Sequence, residues 1–231
     1  MRFSRVLLAD IHYQFKYGFY FLYLYVSAVY IAILFLLPAE VQRVGAAVII
    51  MSDPAGLGFI FIGGILLLEK GEGLHSYFSI VPATISEYIW AKVISLGLVS
   101  TLAGLVIAGI GLRGGVNYLL LTAAILVGSA VFTLFGIAVG SMARSLNNYL
   151  VIGIPAGLIL MGPAFLTVIG LTHFLVEIIP ATLLLRLLYV AAGLAIPYHP
   201  AIAMAGLILW LVPAYILANR RFTLYLEKTG G

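Results

Sequence analysis

Six stretches of this chain are long and apolar enough to cross a membrane: residues 17–37, 54–70, 90–111, 118–140, 149–170 and 200–218. The charges they contain are Glu69, Lys70 and Lys92, all close to a stretch end. A helix rises 1.5 Å per residue, so about 20 apolar residues match the roughly 30 Å hydrocarbon core of a bilayer. Inside that core each backbone polar group needs a partner within the chain, which selects helices for segments of this length. Composition agrees, since 64% of the 231 residues are hydrophobic and 9% are charged. A soluble domain is about half apolar and one quarter charged. A soluble enzyme and a disordered chain are thereby excluded. The expected fold is an all-α integral membrane protein, a single unit over residues 1–231, with no room for a soluble domain of about 100 residues besides.

The charges outside the stretches read as topology signals. Twelve Lys and Arg face eight Asp and Glu, for a net charge of +4, but no basic run interleaved with aromatics exists to meet nucleic acid. Residues 3–16 place Leu7, Leu8, Ile11 and Phe15 at helical spacing, with Arg5, Asp10, His12 and Lys16 over the remaining surface. That pattern predicts an amphipathic helix lying in the membrane interface. The stretch at 17–37 is too long for a signal-peptide core and predicts an uncleaved anchor. With the N-terminus inside, Arg2, Arg5, Lys16, Lys70, Lys92, Arg144, Arg220, Arg221 and Lys228 fall on the cytoplasmic side. Only Arg43, Arg113 and Arg186 fall outside. This bias predicts a plasma-membrane protein with both termini cytoplasmic.

Two places strain the scheme. Asp53 lies in an apolar run, where an ionised side chain is costly. Asp is a preferred N-cap and Pro suits the first helical position, so Asp53-Pro54 predicts the start of a helix rather than a buried functional carboxylate. Residues 171–199 are apolar but broken by Glu177, Pro180, Arg186 and Pro197. A seventh span there would bury Arg186 and export the basic C-terminus, so short helices dipping into the outer leaflet are expected instead.

Most catalytic signatures are missing. There is no cysteine, which excludes disulfides, thiolate chemistry and cysteine metal sites. The four lysines follow Phe15, Glu69, Ala91 and Glu227, whereas a Walker phosphate loop needs Gly before its Lys. Gly71-Glu72-Gly73 lacks the third glycine of a dinucleotide fingerprint. His12, His75, His173 and His199 form no i, i+4 pair, and only two aspartates, Asp10 and Asp53, exist for aspartyl proteolysis. No catalytic residue, metal ligand or cofactor is assigned.

The richest segment joins the second and third spans. Glu69 and Lys70 end one span, and Gly71 and Gly73 permit a turn. Leu74, Phe78 and Val81 can share one side of a short helix, and Pro82 stops it. Glu87 and Tyr88 open the next span, with Lys92 within snorkelling reach of the interface. Pro82-x-x-x-x-Glu87-Tyr88-x-x-x-Lys92 after a Glu-Lys span end resembles the corresponding connection of ABC-2 type transporter permeases, above all the small drug-export kind. The layout of nearly the whole chain is similar too. The resemblance implies six spans with an N-terminal interfacial helix, a cytoplasmic coupling helix at 70–82 and short outer helices between spans five and six. It implies no enzyme activity in this chain. The expected partners are a separate ABC ATPase, in two copies per transporter, and a second permease subunit, identical or related. Glu69, Lys70, Glu72, Gly73, Leu74, Phe78, Val81, Pro82, Glu87 and Lys92 would frame the ATPase contact. Glu87 and Lys92 lie five apart and are expected to act separately.

Other features fit inside this frame. Gly136-x-x-x-Gly140 and Gly153-x-x-x-Gly157 permit close helix approach, read here as packing within the subunit. Tyr20, Tyr23, Ser27 and Tyr30 form a hydroxyl stripe on span one, a candidate path for an amphipathic aromatic substrate. Interfacial anchoring accounts for Tyr20 but poorly for Tyr30. A stand-alone secondary transporter or channel is the alternative reading, and an intramembrane enzyme the third.

Overall fold

The computed structural model describes residues 2–74, 84–112 and 114–229. Helix α1 (Arg2–Lys16) turns at Gly18, whose φ of 76° suits a residue without a Cβ. Helix α2 (Phe19–Leu36) follows and stops at Pro38, which supplies no N–H to continue it. Helix α3 (Ala39–Ser52), a π-helical turn (Asp53–Gly58) and helix α4 (Phe59–Gly71) then run on as one 33-residue element. The next helices are α5 (Ile85–Gly111), α6 (Tyr118–Gly140) and α7 (Leu146–Val168). Two short helices, α8 (Phe174–Glu177) and α9 (Pro180–Ala191), lead to α10 (Pro200–Thr229). Six elements are long and apolar enough to cross a membrane: α2, α3–α4, α5, α6, α7 and α10. Among the described residues there is no strand.

The second span therefore begins at Ala39, not at Asp53. Asp53 is helical, with φ −69° and ψ −64°, and its side chain caps nothing. Pro54 removes one backbone N–H, and the helix widens to a π turn there instead of ending. Neighbouring side chains can satisfy the freed carbonyls of such a turn, and the Tyr149 hydroxyl of α7 donates to the Phe59 carbonyl.

Helix α6 is the hub, packing against α4, α5, α7, α9 and α10. Its small residues make this possible. A Cβ on Gly136 would stand 2.2 Å from Ile62 and 2.9 Å from the Phe59 carbonyl oxygen, and one on Gly140 would stand 2.8 Å from Leu66. The Gly136–Gly140 pair is thus a seam with α4 inside the subunit. Gly153 and Gly157 face Phe59 and Tyr149 or Met161 at contact distance. They line a groove of about 240 Å3 between α7 and the π turn.

Helix α9 is buried along its length apart from Val190. Helices α3, α6, α7 and α10 surround it. Arg186 escapes isolation because its guanidinium grips Glu177 of α8 with two N–H donors, and Tyr198 donates to the same carboxylate at 2.9 Å. Burial alone would push the Glu177 carboxyl up, but hydrogen bonds from Arg186 and Tyr198 outweigh it and hold the group below its ordinary value. Beside α9, Arg43 donates to the Ala192 and Gly114 carbonyls, tying α3 to two loops. Gly115 and Gly193, with φ of 73° and 80°, make room for its guanidinium.

Candidate functional site: a buried ionic cluster at the base of the 70–82 connection

The α1 end of the bundle gathers α1, the last turns of α4 and α10, and the start of α5. Thr84 caps α5 reciprocally: its hydroxyl accepts from the Glu87 N–H at 3.2 Å, and the Glu87 carboxylate accepts from the Thr84 N–H at 2.8 Å. This box fixes the entry angle of α5. One turn further, Tyr88 stacks on Phe222 of α10 at 4.9 Å, and Trp90 stacks on Tyr215 at 5.7 Å. Ser86 and Tyr215 also share a hydrogen bond.

So positioned, α5 turns Lys92 inward. The ammonium is 1% exposed and bridges Asp10 of α1 and Glu69 of α4, at 2.6 Å from the latter. It also lies 4.9 Å from the centre of the Tyr88 ring, whose hydroxyl donates to Glu69. Asp10 in turn accepts from Ser95 and from Gln14, the latter at 2.7 Å. Gln14 donates to Ser95 at the same distance. The arrangement is a triad of one cation and two carboxylates with hydroxyl and amide donors around it. Such a buried group is stable only when its geometry satisfies each charge. Tyr13 closes one side, its phenol pushed up by burial and by the carboxylates of Glu69 and Glu72.

This places the sequence-derived residues as follows. Glu69 and Lys92 are brought together, but inside the protein: Lys92 does not snorkel, and Asp10 is not on the hydrated face of α1. Glu87 belongs to the helix cap. Lys70 lies over the Tyr225 ring at 5.2 Å. Glu72 and Leu74 are exposed, and Gly73 makes the turn with φ 70°. Phe78, Val81 and Pro82 lie outside the described residues, as do His75 and Arg113. A cavity of about 190 Å3, walled by Asp10, Tyr13, Glu69, Lys92 and Leu74, opens where the 70–82 segment departs. The sequence reading missed Asp10, Gln14, Tyr88 and Ser95 as cluster members. The available signal was the Asp10-x-x-x-Gln14 pair, two polar groups one helical turn apart, with Gln14 a heptad beyond Leu7 at the edge of the apolar stripe.

The hydroxyl stripe of α2 faces protein. Tyr23 and Ser27 are buried, and Tyr20 and Tyr30 are half-buried. Tyr23 lies 3.5 Å from the Ser100 hydroxyl, and Tyr30 accepts from Ser52 at 3.1 Å. Asp53, 2% exposed, sits beside them, with Ser100 its hydroxyl neighbour on α5. Its Oδ2 has no hydrogen-bond partner among the described residues.

No family model matches the chain. Over 136 residues it is 28% identical to the fluoroquinolones export permease protein of Mycobacterium tuberculosis, matched alike in two strains. The match covers 58% of this chain and 57% of that protein, so the chain spans little more than half the length of the curated relatives it matches. An all-helical integral membrane protein with six span-length helices is thus similar to a protein named as a drug-export permease.

Proposed function

We propose that this chain is the transmembrane permease subunit of an ABC-2 type exporter, moving an amphipathic compound out of the cell on ATP hydrolysed by a separate subunit. The similarity to a named export permease carries the reading. The ionic cluster supports it, because a push on the 70–82 connection would reach α4 through Glu69 and α5 through Lys92 together, with α1 as the brace. In this reading residues 70–82 dock in a groove of the ATPase, two of which serve a pair of permeases, and both termini of the chain are cytoplasmic. Leu74, Phe78 and Val81 anchor the contact, since apolar anchors dominate such interfaces while rim charges such as Glu72 contribute little. The stripe of Tyr20, Tyr23, Ser27 and Tyr30 then acts in positioning α2, not as an open path.

The experiment is co-purification of the ATPase with wild-type and Phe78→Ala permease, alongside efflux of a fluoroquinolone. Loss of the ATPase and of efflux, with normal membrane insertion, is expected. A stand-alone secondary transporter is the second reading, favoured by Asp53, because coupling-ion carriers use intramembrane carboxylates. Efflux that persists in a strain lacking every candidate ATPase would select it.

A further inference from the structure

We propose that Asp53 is a proton-binding site within the membrane, a carboxyl that takes a proton from water and returns it as the π-helical turn opens and closes. Three observations meet there. The side chain is almost fully buried near the middle of the 33-residue α3–α4 element. Among the described residues its neighbours are hydroxyls: Ser100 of α5 stands beside it, and Tyr23 reaches within 3.5 Å of Ser100. Its second oxygen meets no donor among the described residues.

Among the described residues no counter-charge is in reach. Helices α6 and α7, both packed on the π turn, carry no Asp, Glu, Lys, Arg or His, and their titratable groups are Tyr118 and Tyr149. Helix α2 offers Tyr20, Tyr23, Tyr25 and Tyr30. On α5 the charges are Glu87 and Lys92. Lys92, the nearer, stands about 12 Å along the axis from Ser100 at 1.5 Å per residue, and Asp10 and Glu69 already hold it. On the same element as Asp53, Arg43 is about 15 Å away and Glu69 about 24 Å by the same rise, with Glu40 and Lys70 further still. An ionised carboxylate so placed has neither water nor a cation, whereas the neutral acid is compatible with its surroundings. A metal ion would need a shell of oxygens, and one carboxyl with a hydroxyl does not supply it.

The turn provides the means of exchange. A π turn inside an α-helix often marks a functional site, and this one carries Pro54, Gly56 and Gly58. A Cβ on Gly56 would touch nothing within 4 Å, so the segment has space on the side of the α7 groove. Movement there would expose Asp53 to water, where the O–H bond breaks and the proton leaves.

The test is infrared spectroscopy of the full chain in lipid vesicles, which requires neither substrate nor ATPase and so stands apart from the export reading. At neutral pH the carbonyl stretch of a protonated carboxyl is expected in the wild type and not in Asp53→Asn. The band should move on transfer to D2O, as exchange demands. Should Asp53→Asn fail to insert, Ser100→Ala serves: the band should persist but shift in frequency, because the polar hydroxyl beside the carboxyl is gone. A missing band, a band indifferent to both substitutions, or one that never moves in D2O would overturn the proposal.

Discussion

Replacing Lys92 by Met would leave Asp10 and Glu69 buried together with no cation between them. Breaking a buried ionic group in this way costs about 3–5 kcal/mol. Lys92→Met should therefore lower the thermal unfolding temperature in detergent sharply, and Lys92→Met combined with Glu69→Gln should recover part of the loss. If the single variant unfolds like the wild type, the triad is not a structural tie. Glu177 gives the second prediction at this scale. Because the folded protein holds its carboxyl below the ordinary value of 4.5, its contribution is present above that value and disappears as pH falls through the lower, folded one. The stability advantage of wild type over Glu177→Gln should be full at neutral pH and fade as the pH falls below 4.5. Unfolding curves across that range check the sign. Single residues were also where sequence misled most. Asp53 and Pro54 have the spacing of a helix start, and a cap differs from a buried carboxyl only in what lies across the bundle. Asparagine cannot stand in for Asp53 as a cap, since no cap is there.

Two helices show what an element asks of its residues. Glu87 sits where a coupling contact was expected, yet its carboxylate completes the Thr84 box. Glu87→Gln keeps the box chemistry and should leave stability unchanged. Glu87→Ala should lose about 0.5–2 kcal/mol, read from thermal unfolding. On α4, a Cβ on Gly63 would lie 2.0 Å from the ring of Tyr149, a side chain 1% exposed and hydrogen-bonded to Phe59. Gly63→Ala should cost about 1–3 kcal/mol by overpacking, while Gly64→Ala, with nothing within 4 Å, should be tolerated. Helix existence was legible because an apolar run of about 20 residues has few other solutions. The α6 glycine pair was legible as a close-approach face. Which helix would meet it was not, since spacing along one helix carries no information about its neighbour. The ionic cluster was hidden for the same reason: Asp10, Glu69 and Lys92 belong to three helices, and only packing makes them one group.

For the whole molecule, six crossings in alternation bring α1 and the last turns of α10 to the same end, where Tyr88 meets Phe222. The α8–α9 pair lies at the opposite end with Arg43. In the proposed orientation, with both termini cytoplasmic, a cysteine at Glu227, exposed on α10, should resist an impermeant thiol reagent added to intact cells. One at Leu175, 60% exposed on α8, should react. The chain's lack of cysteine makes the background clean. Labelling of position 227 in intact cells would mean an inverted orientation or an odd number of crossings and overturn the topology.

The Asp10–Lys92 contact spans 82 residues of chain, and that distance sets an order of events during synthesis. At about 5–20 residues per second, some 4 to 16 seconds separate the emergence of Asp10 from that of its cation. Until then Asp10 lacks its partner Lys92, and its carboxylate must wait at the water-facing surface. Helix α1, made ahead of α2 to α5, is thus fastened only after them. A nascent chain halted before the third crossing would carry a loose N-terminal arm, open to a protease or a chaperone that the finished protein no longer admits.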